Sequence, residues 1–474
     1  MGYRTIVGLE IHVELSTKTK AFCSCSNEFG GEPNTRVCPV CLGLPGGLPV
    51  LNENIVKYAA MAGMALNCEI QKKSKFDRKN YFYPDLTKGF QVTQDDMPIC
   101  QEGYLEIEGD NGPKKIGIFQ IQMEEDTGKS LHSEEQDTLM DYNRCGVPLI
   151  EIVSKPDLSS GNEARLFLEK LKSTLRFIGV SDCKMEEGSL RCDVNVNIED
   201  EETGKRTAVT EVKNLNSFRG VEKAIDFEVK RHIELLKNNE EEIRTTRRWD
   251  DAKNETVLMR VKYTVADYRF APEGDLPPVV LTDEYIGNIE NELPELPEAK
   301  KNRFVKEYNI PEYDAEVLTS TKELSHFYEE VADHFDDFAM ISNWVMTEVL
   351  RRVENIEESF ELPFEASDLA ELLKTIKKGS INNNAGKKVL REMFETGKKP
   401  LDIIEEKGLV QISDTSAIEE IVDKVLGDNP QSIEDFKAGK DRALGFLVGQ
   451  VMKASRGKAN PQVVNKLLQE KLNS

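Results

Sequence analysis

Residues 6–15 alternate without a break, with Val7, Leu9, Ile11, Val13 and Leu15 on one side and Glu10, His12 and Glu14 on the other. Only an extended strand separates residues this way, so the chain has to build a sheet with an apolar face to bury. Two residues along a strand span ~7 Å, which sets the three polar groups along one ridge. The pattern recurs further on. Leu190, Cys192, Val194, Val196 and Ile198 oppose Arg191, Asp193, Asn195 and Asn197, and an alternating run from near Ile116 ends at Glu124 and Glu125. The run Leu149–Val153 is apolar except for Glu151, whose bare carboxylate needs a cation, a donor or water. Carboxylates and a histidine on converging strand faces are the materials of a site for hard divalent cations and nucleotide phosphates. The alternative is that each polar face simply meets water.

The strand-like pattern, broken by Gly, Pro, Asn and Asp, dominates residues 3 to about 290. A Pro- and Glu-rich stretch, NELPELPEA at 291–299, marks a boundary. Beyond it the spacing is helical, as in Leu369, Leu372, Leu373 and Ile376, and a last helical unit after Gly408 carries Ile418, Ile421, Val422, Val425 and Leu426 on one face. Its final helix is expected to start at Asn460-Pro461. The fold class is therefore α+β, a sheet-rich part followed by helical ones. With 474 residues the chain is long enough for two to four domains. It has no apolar run of membrane-spanning length and no apolar signal core at its start, which places it in the cytosol.

A net charge of −23 repels nucleic acid over most of the surface, so an RNA contact needs local basic patches. One lies between Lys72 and Gln91, where Lys72, Lys73, Lys75, Arg78, Lys79 and Lys88 are interleaved with Phe76, Tyr81, Phe82 and Tyr83. A second holds Lys437, Lys440, Arg442, Lys453, Arg456 and Lys458. Either patch could also be an ordinary solvated face.

Four of the nine cysteines, Cys23, Cys25, Cys38 and Cys41, form C-x-C and C-x-x-C pairs within nineteen residues. That spacing points to a closed structural zinc site rather than to disulfides. Cys68, Cys100, Cys145, Cys183 and Cys192 read as small core residues, with Cys145 the one whose setting hints at a nucleophile. Gly128-Lys129-Ser130 ends like a phosphate-binding loop, but Met123 stands where the first glycine is required, so no P-loop is read.

The run DYNRCGVPLIEIVS (141–154) closely resembles the signature of the GatB/GatE family of aspartyl/glutamyl-tRNA amidotransferase components. KFDRKNYFYPDLTKGFQVTQ, MEEDTGKS, KMEEGSLRCDVNV, EVKNLNSF and GFLVGQVMKASRGKANPQVVNKLL are similar to further family blocks, in family order. The length favours the GatB branch over GatE, which carries an inserted domain. The resemblance implies a cradle-shaped catalytic domain over 1–292, a helical linker domain over 293–406 and a YqeY-like tail over 407–474. It also implies a complex with GatA and GatC, in which GatA releases ammonia from glutamine. ATP would phosphorylate the side-chain carboxylate of misacylated Glu-tRNA(Gln) or Asp-tRNA(Asn), and ammonia would displace the phosphate.

By match to family motifs, Glu10, His12, Glu124, Glu125, Glu151 and Asp193 would hold Mg2+ or Mn2+ and ATP, with Arg191 beside them. Lys79 and Lys88 would face the substrate or an ammonia tunnel. Structural Zn2+ rests on the cysteine spacing, since only some members carry all four. Two positions depart from the family pattern: Thr87 replaces a common proline, and the loop Tyr268–Asp275 has Ala271 and Gly274 at positions occupied by other residues in relatives. Two other readings of the residues stay open, a zinc-stabilised tRNA-binding scaffold without catalysis and a metal-dependent hydrolase.

Overall fold

The computed structural model forms two compact units, residues 1–296 and 297–474, divided inside the Pro- and Glu-rich stretch. It describes residues 2–132, 138–261, 268–356, 360–410, 415–437, 442–455, 459 and 461–473.

The first unit is organised by a nine-stranded sheet. Its strands are β1 (Tyr3–Glu14), β2 (Glu69–Ile70), β3 (Cys100–Gly109), β4 (Gly112–Glu125), β5 (Pro148–Ser154), β6 (Leu190–Asp200), β7 (Thr210–Lys213), β8 (Thr245–Asp250) and β9 (Glu255–Val261). They lie in the order β9-β8-β7-β6-β1-β5-β4-β3-β2, so the first strand of the chain sits in the middle. All neighbours are antiparallel except β7 and β8.

The alternation of β1 is realised as burial on one face: Val7, Leu9, Ile11 and Val13 are closed to solvent, while Glu10, His12 and Glu14 are half-buried on the other. Three helices, α1 (Glu53–Ala65), α2 (Gly161–Phe177) and α3 (Phe218–Lys237), supply apolar residues to the core that β1 joins. Each begins on a polar cap. Asn52 accepts from the Asn54 N–H, Ser160 from Glu163 and Ser217 from Gly220, satisfying donors that a helix start leaves open. The face of the sheet turned away from that core keeps its polar residues.

The second unit is helical, and its apolar residues gather in two separate cores. One runs from Phe304 to Ile404 and includes Leu369, Leu372 and Leu373 of the helix Ala366–Lys377, as the spacing requires. The other runs from Ile418 to Leu472, where Ile418 and Val422 of the helix Thr415–Asp428 are fully buried. The last helix spans Pro461–Asn473, and the expected cap residue Asn460 lies outside the described residues. No described helix is long and apolar enough to cross a membrane.

Candidate active site

Strand register assembles the polar face into rows. His12 is directly opposite Glu151 of β5 on one side and Arg191 of β6 on the other, and Glu151 in turn faces Gln122 of β4. One row along, Glu10 is opposite Asp193. A further row joins Asn195 to Glu211 of β7 and Glu211 to Thr246 of β8. Residues spread over two hundred positions of sequence thus become neighbours through a period of two.

Two groups with metal-ligand chemistry result. In the first, His12 Nε2 lies 3.3 Å from Glu124 Oε1 and 3.9 Å from Glu151 Oε1. Burial pushes the His12 imidazole down, but the adjacent Glu124 and Glu151 carboxylates outweigh it and hold its pKa up at about 9. Burial and repulsion from Glu124 and Glu10 raise Glu151 to about 7, against the pull of His12 and Lys79. Glu124 Oε2 accepts from the Thr93 hydroxyl at 3.2 Å, while Glu124 Oε1 is buried and receives no hydrogen bond.

In the second group, Glu10, Asp193 and Glu211 offer oxygens within 4.8 Å of one another. Lys213 bonds Asp193 and lies 3.4 Å from Glu211, so an ammonium already offsets part of their charge. Glu10 accepts from Asn195 Nδ2 at 2.8 Å, and Asn195 Oδ1 is left buried without a donor. Crowded, buried carboxylates in the first group and an acceptor oxygen without a donor in the second are costly arrangements that a cation at either place would relieve. Glu211, Lys213 and the role of Asn195 escape the sequence reading. β7 is four residues long, too short to display a period, and its only signal is a carboxylate two positions from a lysine.

The expected residues do not all converge. Glu125 does not join Glu151 and His12: successive strand residues point to opposite faces, and Glu125 bonds Lys88 and accepts from the Val92 N–H at 3.0 Å. That pair lines a small cavity with Cys41, Asp85, Thr87 and Cys145. Arg191 lies beside His12 but is engaged by Asp126, donating through Nη2 at 2.7 Å, and its buried Nε has no hydrogen-bond partner. Lys79 has its ammonium 4.9 Å from the centre of the Tyr268 ring. Cys145 is buried, its thiol pushed up to about 12 by burial and by Glu125, which fits a core residue and not a nucleophile. Gly128-Lys129-Ser130 leads into a short strand, Lys129–His132, paired with Thr138–Asp141, and not into the helix a phosphate loop requires.

The four cysteine sulfurs all lie within 4.8 Å of one another. A tetrahedral zinc with bonds of about 2.3 Å needs sulfur–sulfur edges of ~3.8 Å, so little adjustment would close the set. The Cys38 N–H points at Cys41 Sγ at 3.1 Å, and the fully buried Lys20 ammonium lies 3.8 Å from the same sulfur. Hydrogen bonding from Cys23, the Cys38 N–H and the charge of Lys20 bring the Cys41 thiol down to about 5, against burial. The departing residues are structural here: the Thr87 hydroxyl donates to the Cys41 carbonyl at 2.8 Å, and Ala271–Pro272 pairs with Asp77–Arg78 while Glu273 takes the Arg78 guanidinium at 2.7 and 2.8 Å.

Comparison with known proteins gives two family matches, a GatB/GatE catalytic domain over residues 5–287 and a GatB domain over residues 326–472. The chain is 55% identical over 475 residues to proteins from Clostridium tetani (strain Massachusetts / E88) and Clostridium botulinum (strain Langeland / NCTC 10281 / Type F), each named as the B component of an aspartyl/glutamyl-tRNA(Asn/Gln) amidotransferase. These alignments cover 100% of this chain and 99% and 100% of the two relatives.

Proposed function

The chain belongs to the GatB/GatE family, and we propose on that premise that it is the subunit of a tRNA-dependent amidotransferase that activates the substrate carboxylate. Its substrates are ATP and misacylated Glu-tRNA(Gln) or Asp-tRNA(Asn). The observation that carries the reading is the cluster of His12, Glu124 and Glu151 on the polar face of the sheet, whose ligand atoms lie within 4.8 Å of one another. A scaffold that only bound RNA would have no use for such a cluster.

Side-chain amidation of an esterified amino acid needs a better leaving group than oxide. The carboxylate oxygen attacks the γ-phosphorus of ATP, ADP departs, and ammonia then adds to the acyl phosphate and expels phosphate. The first step brings an anion to a polyanion, so charge has to be neutralised at both. A divalent ion, Mg2+ or Mn2+, held by His12, Glu124 and Glu151, with a second at Glu10, Asp193 and Glu211, would supply that neutralisation.

The chain's own groups do the rest. Glu151 and Glu124 would hold the cation, and Thr93 orients Glu124 by donating to its other oxygen. Lys213 sets its ammonium against both Asp193 and Glu211 and offsets part of their charge. Arg191 Nε and the Lys79 ammonium are the donors placed to meet phosphate or carboxylate oxygens. Lys88 and Glu125, at their small cavity beside Cys41, are assigned to the path by which ammonia arrives from GatA, with GatC completing the complex.

Zinc at Cys23, Cys25, Cys38 and Cys41 would be structural, because four thiolates leave no open position. The three-domain division, 1–292, 293–406 and 407–474, is supported by the two separate cores of the second unit. The test is amide formation on each misacylated tRNA by the assembled complex, with ammonium chloride as nitrogen donor. Turnover that does not require ATP would reject the assignment.

A further inference from the structure

Neither the carboxylate groups nor the cysteine site uses a series of aromatic rings that leads away from Lys79. Tyr81 meets Tyr83 and Tyr268 edge-on at centroid separations of 6.0 Å, and Tyr268 meets Phe270 at 6.2 Å. The Lys79 ammonium lies 4.9 Å from the Tyr268 centroid and 5.9 Å from that of Tyr81, and the Arg269 guanidinium carbon lies 5.8 Å from the centre of Phe82. The inner rings are held in place. Tyr81 donates its hydroxyl to Gln91 Oε1 at 3.2 Å, and Asn80 fixes the second loop by donating its N–H to the Tyr268 carbonyl at 2.9 Å and its amide to the Arg269 carbonyl at 2.7 Å.

The outer rings are not covered. Phe82 is 78% exposed, Tyr83 60% and Phe270 41%. Leaving three large rings in water on two loops that are pinned together forgoes the stabilisation their burial would give. Rigid aromatic faces beside guanidinium and ammonium groups are the recurring means of gripping an unstacked nucleobase, since every base offers a π-face. Gln91 ties these rings to the proposed reaction site, for it accepts from Tyr81 and donates its amide to the Glu125 carbonyl at 2.8 Å, next in the chain to Glu124.

The source of the base follows from connectivity. An amino acid on tRNA is esterified to the ribose of the 3′-terminal adenosine, so that nucleoside must stop close to the carboxylate being activated. A small purine nucleotide is ordinarily enclosed by its pocket, whereas these rings stand open, as suits the end of a large molecule arriving from solvent. We propose that Phe82, Tyr83 and Phe270, with Arg269, form a stacking platform for the 3′-terminal adenine of the aminoacyl-tRNA. This assignment rests on the amidotransferase reading and adds the positioning site that reading lacks. Its residues are positioning residues, and the reacting atoms are those near Lys79 and Glu151.

The test uses the assembled complex with either the native chain or the Phe82→Ala/Tyr83→Ala chain. 2-Aminopurine, whose fluorescence is quenched by stacking, replaces the terminal adenine of the tRNA in one arm and the base of the nucleoside triphosphate in the other. The expected result is a quench of the tRNA probe that the double variant loses. The apparent KM for aminoacyl-tRNA should rise about ten-fold or more, with kcat and the KM for ATP unchanged. Phe82→Tyr/Tyr83→Phe, which keeps both rings, should behave as native and separate stacking from any folding defect. Unchanged tRNA affinity in the double variant overturns the platform, and loss of the triphosphate quench instead assigns the rings to ATP and overturns it equally. Absence of ATP-dependent amidation by the native complex would be a failure of the amidotransferase reading, visible without any substitution.

Discussion

Glu151 is held against its own stability. Burial and the neighbouring carboxylates Glu124 and Glu10 raise it to about 7, so its charged form is unfavourable in the chain alone. Glu151→Gln keeps the volume and removes that repulsion, and should leave the melting temperature equal or higher. The same change removes a proposed ligand oxygen, and amide formation with ammonium chloride as donor should fall by about 100-fold or more. Glu211→Gln tests the second group, with the same fall expected and magnesium titration as the readout. Near-native amidation by the Glu151 variant at saturating magnesium would move the site elsewhere on the sheet. A different buried acid behaves in the opposite sense. Glu228 of α3 is closed to solvent, and despite burial its contacts with His232 and Arg231 and the hydroxyl of Thr256 bring it down to about 2. A folded value below the unfolded one of about 4.5 means that protons favour the unfolded chain. Its contribution, ~3 kcal/mol, is complete above about pH 4.5 and drains away as pH falls toward 2. Denaturant melts should therefore show native stability dropping over that window, and Glu228→Gln should flatten the drop while costing about 3–5 kcal/mol at pH 7.

At the scale of elements, Glu228 and its partners explain how α3 is fastened to the far edge of the sheet: Arg231 donates to it at 2.7 and 2.9 Å, and Arg247 of β8 lies 3.3 Å away. The cysteine loop is the other fastening. It has few apolar residues to bury and leaves Phe29, Leu48 and Val50 exposed, so its order depends on the four sulfurs and on Lys20. Cys38→Ser, or a strong chelator, should release one equivalent of zinc and lower the thermal midpoint of the first unit, with a smaller loss of amidation at matched folded protein. Elemental analysis finding no zinc in protein prepared without chelator would refute the site. These elements also show what a sequence can and cannot disclose. β1 and β6 announce themselves because an alternation of nine or ten residues cannot be mistaken, β5 because one carboxylate interrupts an apolar run, and together they deliver His12, Glu10, Glu151, Arg191 and Asp193 to one face. Glu125 is easily misplaced because two adjacent glutamates at a strand end look equivalent until the register separates their faces. Glu211 stays hidden because a four-residue strand has no pattern; of the aromatic platform the sequence shows Tyr81, Phe82 and Tyr83 among basic residues, while Tyr268 and Phe270 stay hidden because only the pairing of two short loops brings them there.

For the whole molecule the governing quantity is the distribution of charge. The segment from Gly408 to the end carries nine basic and nine acidic residues, so the net −23 resides entirely in residues 1–407. An RNA that must bring its 3′ end to the acidic first unit therefore needs another place to hold on, and the neutral tail is where it is least repelled. Of its basic stretch, Lys440, Arg456 and Lys458 lie outside the described residues, while Lys437, Arg442 and Lys453 are exposed. Arg442 and Lys453 share the helix Arg442–Ala454 with the half-exposed Phe446. The core of this part, from Ile418 to Leu472, closes on its own apolar residues, so its removal leaves the core from Phe304 to Ile404 intact. Deleting residues 411–474, which keeps Leu409 packed on that core, should raise the apparent KM for aminoacyl-tRNA at least ten-fold, with ATP binding and the partner's glutaminase activity preserved. The shift should shrink as salt increases, because phosphate contacts lose affinity steeply with ionic strength whereas a packing contact between helices would not. Equal KM values for the full and shortened chains at about 50 mM salt would show that the tail serves folding or assembly and that the first unit holds the tRNA alone.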